Sequence, residues 1–279
     1  MKIFIQILSL LLFGVFTCHG QITNATLLSS ELIKANRFLA IDVLSNQYYE
    51  ENGVLLKKNG SQIWQYKNLA LGKILKIDTQ NPLKIAVFFE RFNTVVLLDN
   101  QLNEIQQISF SNINKASIIT SAVGIAAQNK LWFYDTISQK IGLFNFINDD
   151  FKWISTPFQG NFKHYESDFN NFQWIDTDLN WFTCNLYGEI KLIRKVPEFD
   201  KIQIINSDSI LFSKGEHLYF LDFKSNKSQE VQNVNKSFDF FIYKDQILSI
   251  FTNRQIKNYK IISYKIYHFT SNLILIIQK

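Results

Sequence analysis

The sequence has little of the material from which metal and nucleophilic sites are built. Its 279 residues include only 2 cysteines and 4 histidines, and no pair of them has the spacing of metal ligands. It has no GxSxG elbow for a serine nucleophile and no GxGxxG or GxxxxGK loop for a phosphate group. We therefore expect no bound metal and no cofactor.

Breaking residues and charge blocks are also scarce. The chain has 3 prolines and 10 glycines, while 47% of its residues are hydrophobic and 15% aromatic. This composition argues against disorder and for an ample core. The net charge is +5, but no lysine run exceeds Lys57–Lys58, so a solvated surface is favoured and no nucleic-acid partner is expected.

No apolar stretch is long enough to cross a bilayer comfortably. The apolar run at 3–16 follows Lys2, and small residues precede a potential cut at Gln21. Residues 1–20 are therefore predicted to be a secretory signal peptide. The alternative is lipidation of Cys18, although the residues before it make a poor lipobox. The expected location is the periplasm or cell surface, with no transmembrane segment in the mature chain.

A strand–turn–strand pattern recurs along the chain. Residues 130–146, KLWFYDTISQKIGLFNF, combine two apolar segments with a polar turn that begins at Asp135. Versions of this hairpin occur at 94–110, 217–231, 180–193, 53–66 and 255–262. Further β-like segments lie between the hairpins, so the repeat contains about four short strands.

The period of the repeat indicates the fold. The first strands of these hairpins end at Lys58, Asp99, Asp135, Asn185, Asp222 and Lys260, in steps of 41, 36, 50, 37 and 38 residues. Four strands every ~40 residues is typical of a β-propeller blade. We predict an all-β, six-bladed propeller over residues 21–262, with an insertion near 151–169 explaining the longest step. A two-sheet sandwich is the alternative.

The two ends of the repeat region each hold half a repeat. Segments 26–34 and 38–43 precede the first complete repeat, and 246–253 with 255–262 form the last one. Because an open ring would expose two sheet edges, both N-terminal segments are predicted to complete the last blade. Residues 263–279 are a tail outside the repeats.

One stretch, 162–182, is rich in aromatic and acidic residues and could form a platform for a sugar or peptide. Its candidate surface residues are His164, Tyr165, Trp174, Asp176, Asp178 and Trp181. A second candidate loop holds Arg91 and Asn93. Core aromatics and polar turns are the alternative for all of them. Asp176 and Asp178 could bind calcium or form a turn, and Cys184 fits a buried thiol better than a nucleophile.

Four segments carry a resemblance to a known group: 81–106, 131–135, 197–205 and 244–253. Together they resemble secreted bacterial β-propellers of the NHL/YVTN-like group, in particular exported propellers of unknown function. The resemblance implies the fold and no reaction. We expect an exported, non-catalytic protein-binding or envelope-assembly module whose partner is an envelope protein or a glycan. The alternative is a propeller hydrolase or lyase acting on a glycan or lactone, which needs histidine, carboxylate or arginine side chains converging at the channel mouth.

Overall fold

The computed structural model describes residues 23–113, 117–252 and 254–263. The predicted signal peptide (1–20), the cut at Gln21, the alternative at Cys18 and positions 264–279 of the predicted tail lie outside the described residues. Within the described ranges, no helix is long and apolar enough to span a membrane.

The described chain consists of β-strands and short 3-10 turns. Four sheets have four strands each and follow one another along the chain. The first sheet contains β2 (Arg37–Ile41), β3 (Gln47–Glu51), β4 (Val54–Asn59) and β5 (Gln62–Lys67), and the second contains β6 (Lys76–Asp78), β7 (Ile85–Phe89), β8 (Thr94–Leu98) and β9 (Glu104–Ser109). The third contains β10 (Thr120–Ala126), β11 (Lys130–Asp135), β12 (Lys140–Asn145) and β13 (Asp150–Trp153), and the fourth contains β14 (Phe162–Ser167), β15 (Asn171–Asp176), β16 (Asn180–Asn185) and β17 (Ile190–Lys195).

The remaining strands form one eight-stranded sheet with two halves. One half is β18 (Lys201–Asn206), β19 (Ser209–Lys214), β20 (His217–Asp222) and β21 (Lys227–Gln232). The other half is β22 (Phe240–Lys244), β23 (Ile247–Thr252), β24 (Gln255–Ser263) and β1 (Thr23–Leu32). The halves join where β1 runs parallel to β21, through the pairs Thr23↔Val231 and Asn24↔Gln232.

The burial of a strand depends on its position within its sheet. In the second sheet, β7 and β8 are buried along their whole length, whereas β9 is largely exposed. The turns begin at Asp or Asn: the Asp99 carboxylate accepts hydrogen bonds from the backbone N–H groups of Gln101 and Asn103, each at 2.8 Å. Such side-chain acceptors stabilise a tight reversal, so apolar middle strands and Asp-initiated turns together produce the repeated sheets.

The hydrophobic cores lie between successive sheets. One cluster packs Phe88 and Val95 of the second sheet against Phe133 and Phe144 of the third, and other clusters join the remaining neighbours in chain order. A further cluster joins the last half-sheet to the first sheet. The sheets therefore pack face to face in a closed succession, as in a β-propeller.

The N-terminal prediction is half right. β1 pairs antiparallel with β24 at the outer edge of its half-sheet, as predicted for residues 26–34. The prediction for 38–43 is wrong, because β2 pairs with β3 of the first sheet through Phe38↔Tyr49. The position that this segment would have taken belongs to β22, an apolar strand that pairs with β23.

The position of the hairpin at 130–146 within its repeat is also predicted wrongly, because it is not equivalent to the other hairpins. It comprises β11 and β12, the second and third strands of their sheet, whereas 94–110 and 217–231 cover third and fourth strands. With the end of β12, Asn145, as the marker, the steps from Asp99 and to Asn185 become 46 and 40 residues. The predicted insertion near 151–169 is therefore unnecessary.

Candidate functional site at the channel mouth

The first strand of each four-stranded run faces the centre of the ring. These inner strands are β2, β6, β10, β14, β18 and β22, and neighbours among them make contact, for example β2 with β6 and with β22. Each starts its run, so all point the same way and their C-terminal ends meet at one face. We call this face, with the turns that follow the inner strands, the channel mouth.

A cavity of about 270 Å³ opens at the channel mouth. Its lining comes from the ends of four inner strands and the turns that follow them. The lining residues are Ile41, Asp42, Val43, Lys76, Ile77, Asp78, Thr79, Gln80, Glu166, Ser167 and Lys244. Four inner strands thus deliver both cationic and anionic side chains to one small space.

Asp42 stabilises the turn between β2 and β3. Its buried carboxylate accepts hydrogen bonds from the Leu44 and Asn46 N–H groups, both at 2.9 Å, and from the Asn46 Nδ2 and the Tyr48 hydroxyl at 2.7 and 3.0 Å. Its carbonyl oxygen accepts from Lys244 Nζ at 3.0 Å. The carboxylate is therefore saturated by its own turn.

Asp78 connects three inner strands. Its Oδ2 accepts from the Ile125 N–H of β10 at 2.7 Å, and both oxygens accept from Gln80 at 3.0 Å. Gln80 in turn donates to the Ser167 carbonyl of β14 at 2.6 Å. Burial raises the pKa of Asp78, although the hydrogen bonds and nearby Lys76 oppose that rise.

Lys76 reaches across from β6 to β14. Its Nζ donates to the Tyr165 carbonyl oxygen at 2.5 Å and lies 3.5 Å from the centroid of the Tyr165 ring. Burial lowers the pKa of Lys76 to about 8, against the opposing charges of Glu166 and Asp78. A lysine with this pKa carries its proton at neutral pH and gives it up in mildly alkaline solution.

Glu166 is paired with a histidine on its own strand. Its Oε1 lies 2.8 Å from His164 Nε2 and accepts from the Ile204 N–H of β18 at 3.2 Å. Burial raises the pKa of Glu166, but the hydrogen bond and charge of His164, with Lys76 and the Ile204 N–H, outweigh it. The net pKa is therefore below its usual value. The carboxylate is expected to stay ionised.

Of the sequence-predicted residues, His164 and Tyr165 lie next to the cavity. Trp174 and Trp181 are buried to 3% and 1% exposure in the cores on either side of the fourth sheet. Trp174 stacks on Phe182, with ring centroids 5.3 Å apart. These two tryptophans pack as core residues of β15 and β16.

The other candidates lie at the opposite face, in turns between second and third strands. Asp176 accepts from the Asn180 N–H at 2.8 Å and from its Nδ2 at 3.1 Å, and Asp178 is exposed. Arg91 is exposed, whereas Asn93 is buried and accepts from the Thr120 N–H at 2.9 Å. The structure therefore separates the eight residues, and their role as a partner surface stays a prediction.

Sequence reasoning did not select Lys76, Asp78, Glu166 and Lys244. A signal was present: Asp78 and Lys244 are the last residues of their inner strands, and Glu166 is the next-to-last residue of β14. Charged groups at matching repeat positions meet at one face. Within the described residues, no group of three or more metal-ligating side chains occurs. Cys184 is buried, and burial raises the pKa of its thiol to about 12.

Comparison with known proteins identifies the fold. No family model matches the sequence, and no curated protein matches it. Virginiamycin B lyase from Staphylococcus aureus matches with a TM-score of 0.53 and 12% identity, over 80% of this chain and 79% of that one. The Myceliophteria thermophila Cps50 (Swd1) β-propeller domain gives 0.53 and 8%, over 85% and 99%.

An extracellular domain from B. thetaiotaomicron gives a TM-score of 0.50 and 10% identity, over 87% of this chain and 38% of that one. At such identities the likeness concerns the fold alone. The chain is therefore an all-β protein of the β-propeller type.

Proposed function

We propose that the chain is an exported, six-bladed β-propeller of the NHL/YVTN-like group that acts as a non-catalytic interaction module. Its binding surface is the channel mouth. The observation that carries this proposal is the contrast between a cavity lined mainly by charged and polar residues, whose carboxylates already have hydrogen-bond partners, and an apolar rim. A rigid ring that presents turns at one face suits partner binding.

The rim consists of Val43, Leu44, Leu83 and Phe169, exposed to 59%, 62%, 66% and 40%. All four lie in loops between first and second strands, and the loops after β2 and β6 also supply cavity residues. Large apolar side chains exposed at one face of a fold are a feature of protein interaction sites. We infer that an envelope protein docks on this rim; a glycan is the other partner considered.

Export is supported by the leader-like pattern of residues 1–20. It agrees with the extracellular origin of one structure of similar fold. The test is mass spectrometry of the protein from its native host, which should find a terminus at Gln21. An intact Met1 terminus or a diacylated Cys18 would contradict soluble export.

Docking is tested by photo-crosslinking in cells. A photoreactive amino acid at Leu44 should give a discrete crosslinked product, and the Leu83→Asp substitution should abolish it. The same amino acid at Ile137, which is 55% exposed in a turn of the opposite face, is the matched control. Equal crosslinking from both positions, or none from Leu44, would refute the proposal.

A second candidate function, that of a propeller lyase or hydrolase, is favoured by one observation. The His164–Glu166 pair lies beside Lys76, whose pKa of about 8 suits proton transfer. One structure of similar fold is a lyase. Turnover of lactone or glycan substrates that is lost in His164→Asn would establish this function in place of the first.

A further inference from the structure

The cavity at the channel mouth contains two ammonium groups without a carboxylate partner. Lys76 Nζ donates to the Tyr165 carbonyl oxygen, and Lys244 Nζ donates to the Asp42 carbonyl oxygen. Neither forms an ion pair with a carboxylate of the described residues. An ammonium group has three donors, so each retains donors for a ligand.

The acidic side chains of the cavity are in the opposite situation. Asp42 accepts four hydrogen bonds within its turn. Asp78 is fixed by Gln80 and the Ile125 N–H, and Glu166 by His164 and the Ile204 N–H. Asp42 and Asp78 accept through both carboxylate oxygens and have little capacity left for a cationic ligand. Glu166 accepts both of its hydrogen bonds through Oε1, so its Oε2 retains acceptor capacity beside the unused donors of the two lysines.

We propose that the cavity binds a carboxylate group through Lys76 and Lys244, and that the apolar rim packs against the apolar part of the same ligand. This inference rests on the proposed function and names the chemistry of the partner. Hydrogen bonds between ammonium and carboxylate groups are among the stronger ones in proteins. The hydroxyl group of Thr79, which also lines the cavity, can add to them, whereas that of Ser167 donates to Asp78 Oδ2.

The charges of the cavity disfavour a dianion. Its lining holds three carboxylates, those of Asp42, Asp78 and Glu166, against the ammonium groups of Lys76 and Lys244, so its formal charge is −1 (2 − 3). The negative charges repel a dianion such as a phosphate monoester more than a single carboxylate, which must bind through the donors of the two lysines. The volume of about 270 Å³ admits one small group. The occupant that fits best is a single carboxylate on a polypeptide that also carries apolar side chains.

Binding should depend on pH through Lys76. Its neighbours with charge or titratable groups are Asp78 on its own strand, Tyr165 and Glu166 on β14, and Asp42 and Lys244 across the cavity. The pKa of Lys76 is lowered to about 8. The ammonium group is present below that pH and lost above it, so affinity for a carboxylate should fall as the pH rises through about 8.

The test is titration calorimetry of the full protein with N-acetyl-leucine, which joins an apolar side chain to one carboxylate. The neutral N-acetyl-leucinamide is the matched probe, and glucuronate against glucose forms a second pair. We expect N-acetyl-leucine to bind with a Kd of about 1 mM at neutral pH and the amide not to bind. Lys244→Gln should weaken binding by about tenfold or more.

Lys152→Gln, an exposed lysine on the outer strand β13, is the control variant and should leave binding unchanged. If Lys76→Gln does not fold, the loss of binding above pH 8 in the unaltered protein tests the same group. Binding of glucuronate alone would support the carboxylate site and assign it to an acidic sugar. Equal binding of acid and amide, or unchanged binding in Lys244→Gln, would overturn the inference.

The two proposals fail separately. Crosslinking from Leu44 without binding of any acid would leave the docking surface and remove the carboxylate site. Binding of an acid without crosslinking from Leu44 would leave the site and remove the protein partner.

Discussion

The close contact between β10 and β14 allows the packing of neighbouring inner strands to be tested. A Cβ added at Gly124 would lie 1.8 Å from Ser167 Oγ and 2.8 Å from Ser167 Cβ. Rotation of Ser167 moves its hydroxyl but leaves its Cβ in place, so Gly124→Ala requires one inner strand to shift. Overpacking of this kind lowers the free energy of unfolding by ~1–3 kcal/mol. Replacing a glycine inside a strand by alanine raises it by ~0.5–1 kcal/mol, because glycine loses more conformational freedom on folding.

We therefore expect Gly124→Ala to lower the free energy of unfolding by about 1–2 kcal/mol. Each kcal/mol lowers the Tm of a domain of this size by about 2–4 °C. The assay is urea denaturation followed by tryptophan fluorescence. Ser167→Gly removes both clashing atoms, so adding Gly124→Ala in that background should no longer destabilise. Additive effects of the two substitutions would show that the strands are not in contact here.

Three further predictions concern stability and reactivity. Ala25→Asp on β1 buries a carboxylate in the core shared with β24 and should lower the free energy of unfolding by about 3 kcal/mol. Leu28→Asp, at a site 54% exposed, should change it by less than about 0.5 kcal/mol. Equal losses for the two variants in urea denaturation would contradict the burial of Ala25. Asp176→Ala should cost about 1–2 kcal/mol through its turn and Asp178→Ala almost nothing; a rise in Tm on adding calcium chloride would instead favour the calcium alternative. Cys184 should resist alkylation by iodoacetamide at pH ~8, because a thiol pKa of about 12 leaves roughly one thiolate in ten thousand. The measurement is the extent of alkylation of Cys184 by mass spectrometry in the folded and in the unfolded protein. Equally fast alkylation in both states would contradict this prediction.

The sequence shows the repeat of about four strands, but it led to the wrong position for the hairpin formed by β11 and β12 within its sheet. β12 is buried along its middle four residues, and β11 is buried along all but its first. An outer strand is mostly polar, as β9 and β21 are. The apolar character of β12 therefore marks it as an interior strand, and the mixed composition of β13 marks the outer one.

The candidate site was less accessible to sequence reasoning. Trp174 and Trp181 stood out by composition, but they belong to the second and third strands of their sheet, which are covered on both faces. The contact between Lys76 and Tyr165 joins residues 89 positions apart. Which inner-strand ends meet depends on how the sheets are placed round the ring, and no local pattern encodes that placement.

The pairing of β1 with β24 has a consequence for the order of events during synthesis. β1 leaves the ribosome before every other described strand, yet its antiparallel partner is the last one made. About 220 residues separate them, which is a delay of roughly 10–45 s at the usual elongation rates. During that time Ala25 and Leu27 lack their antiparallel partners, Ile261 and Tyr259. A chain interrupted before Gln255 would leave β1 without this partner, so a stalled or prematurely ended product should be recognisable to proteases and chaperones by its first strand.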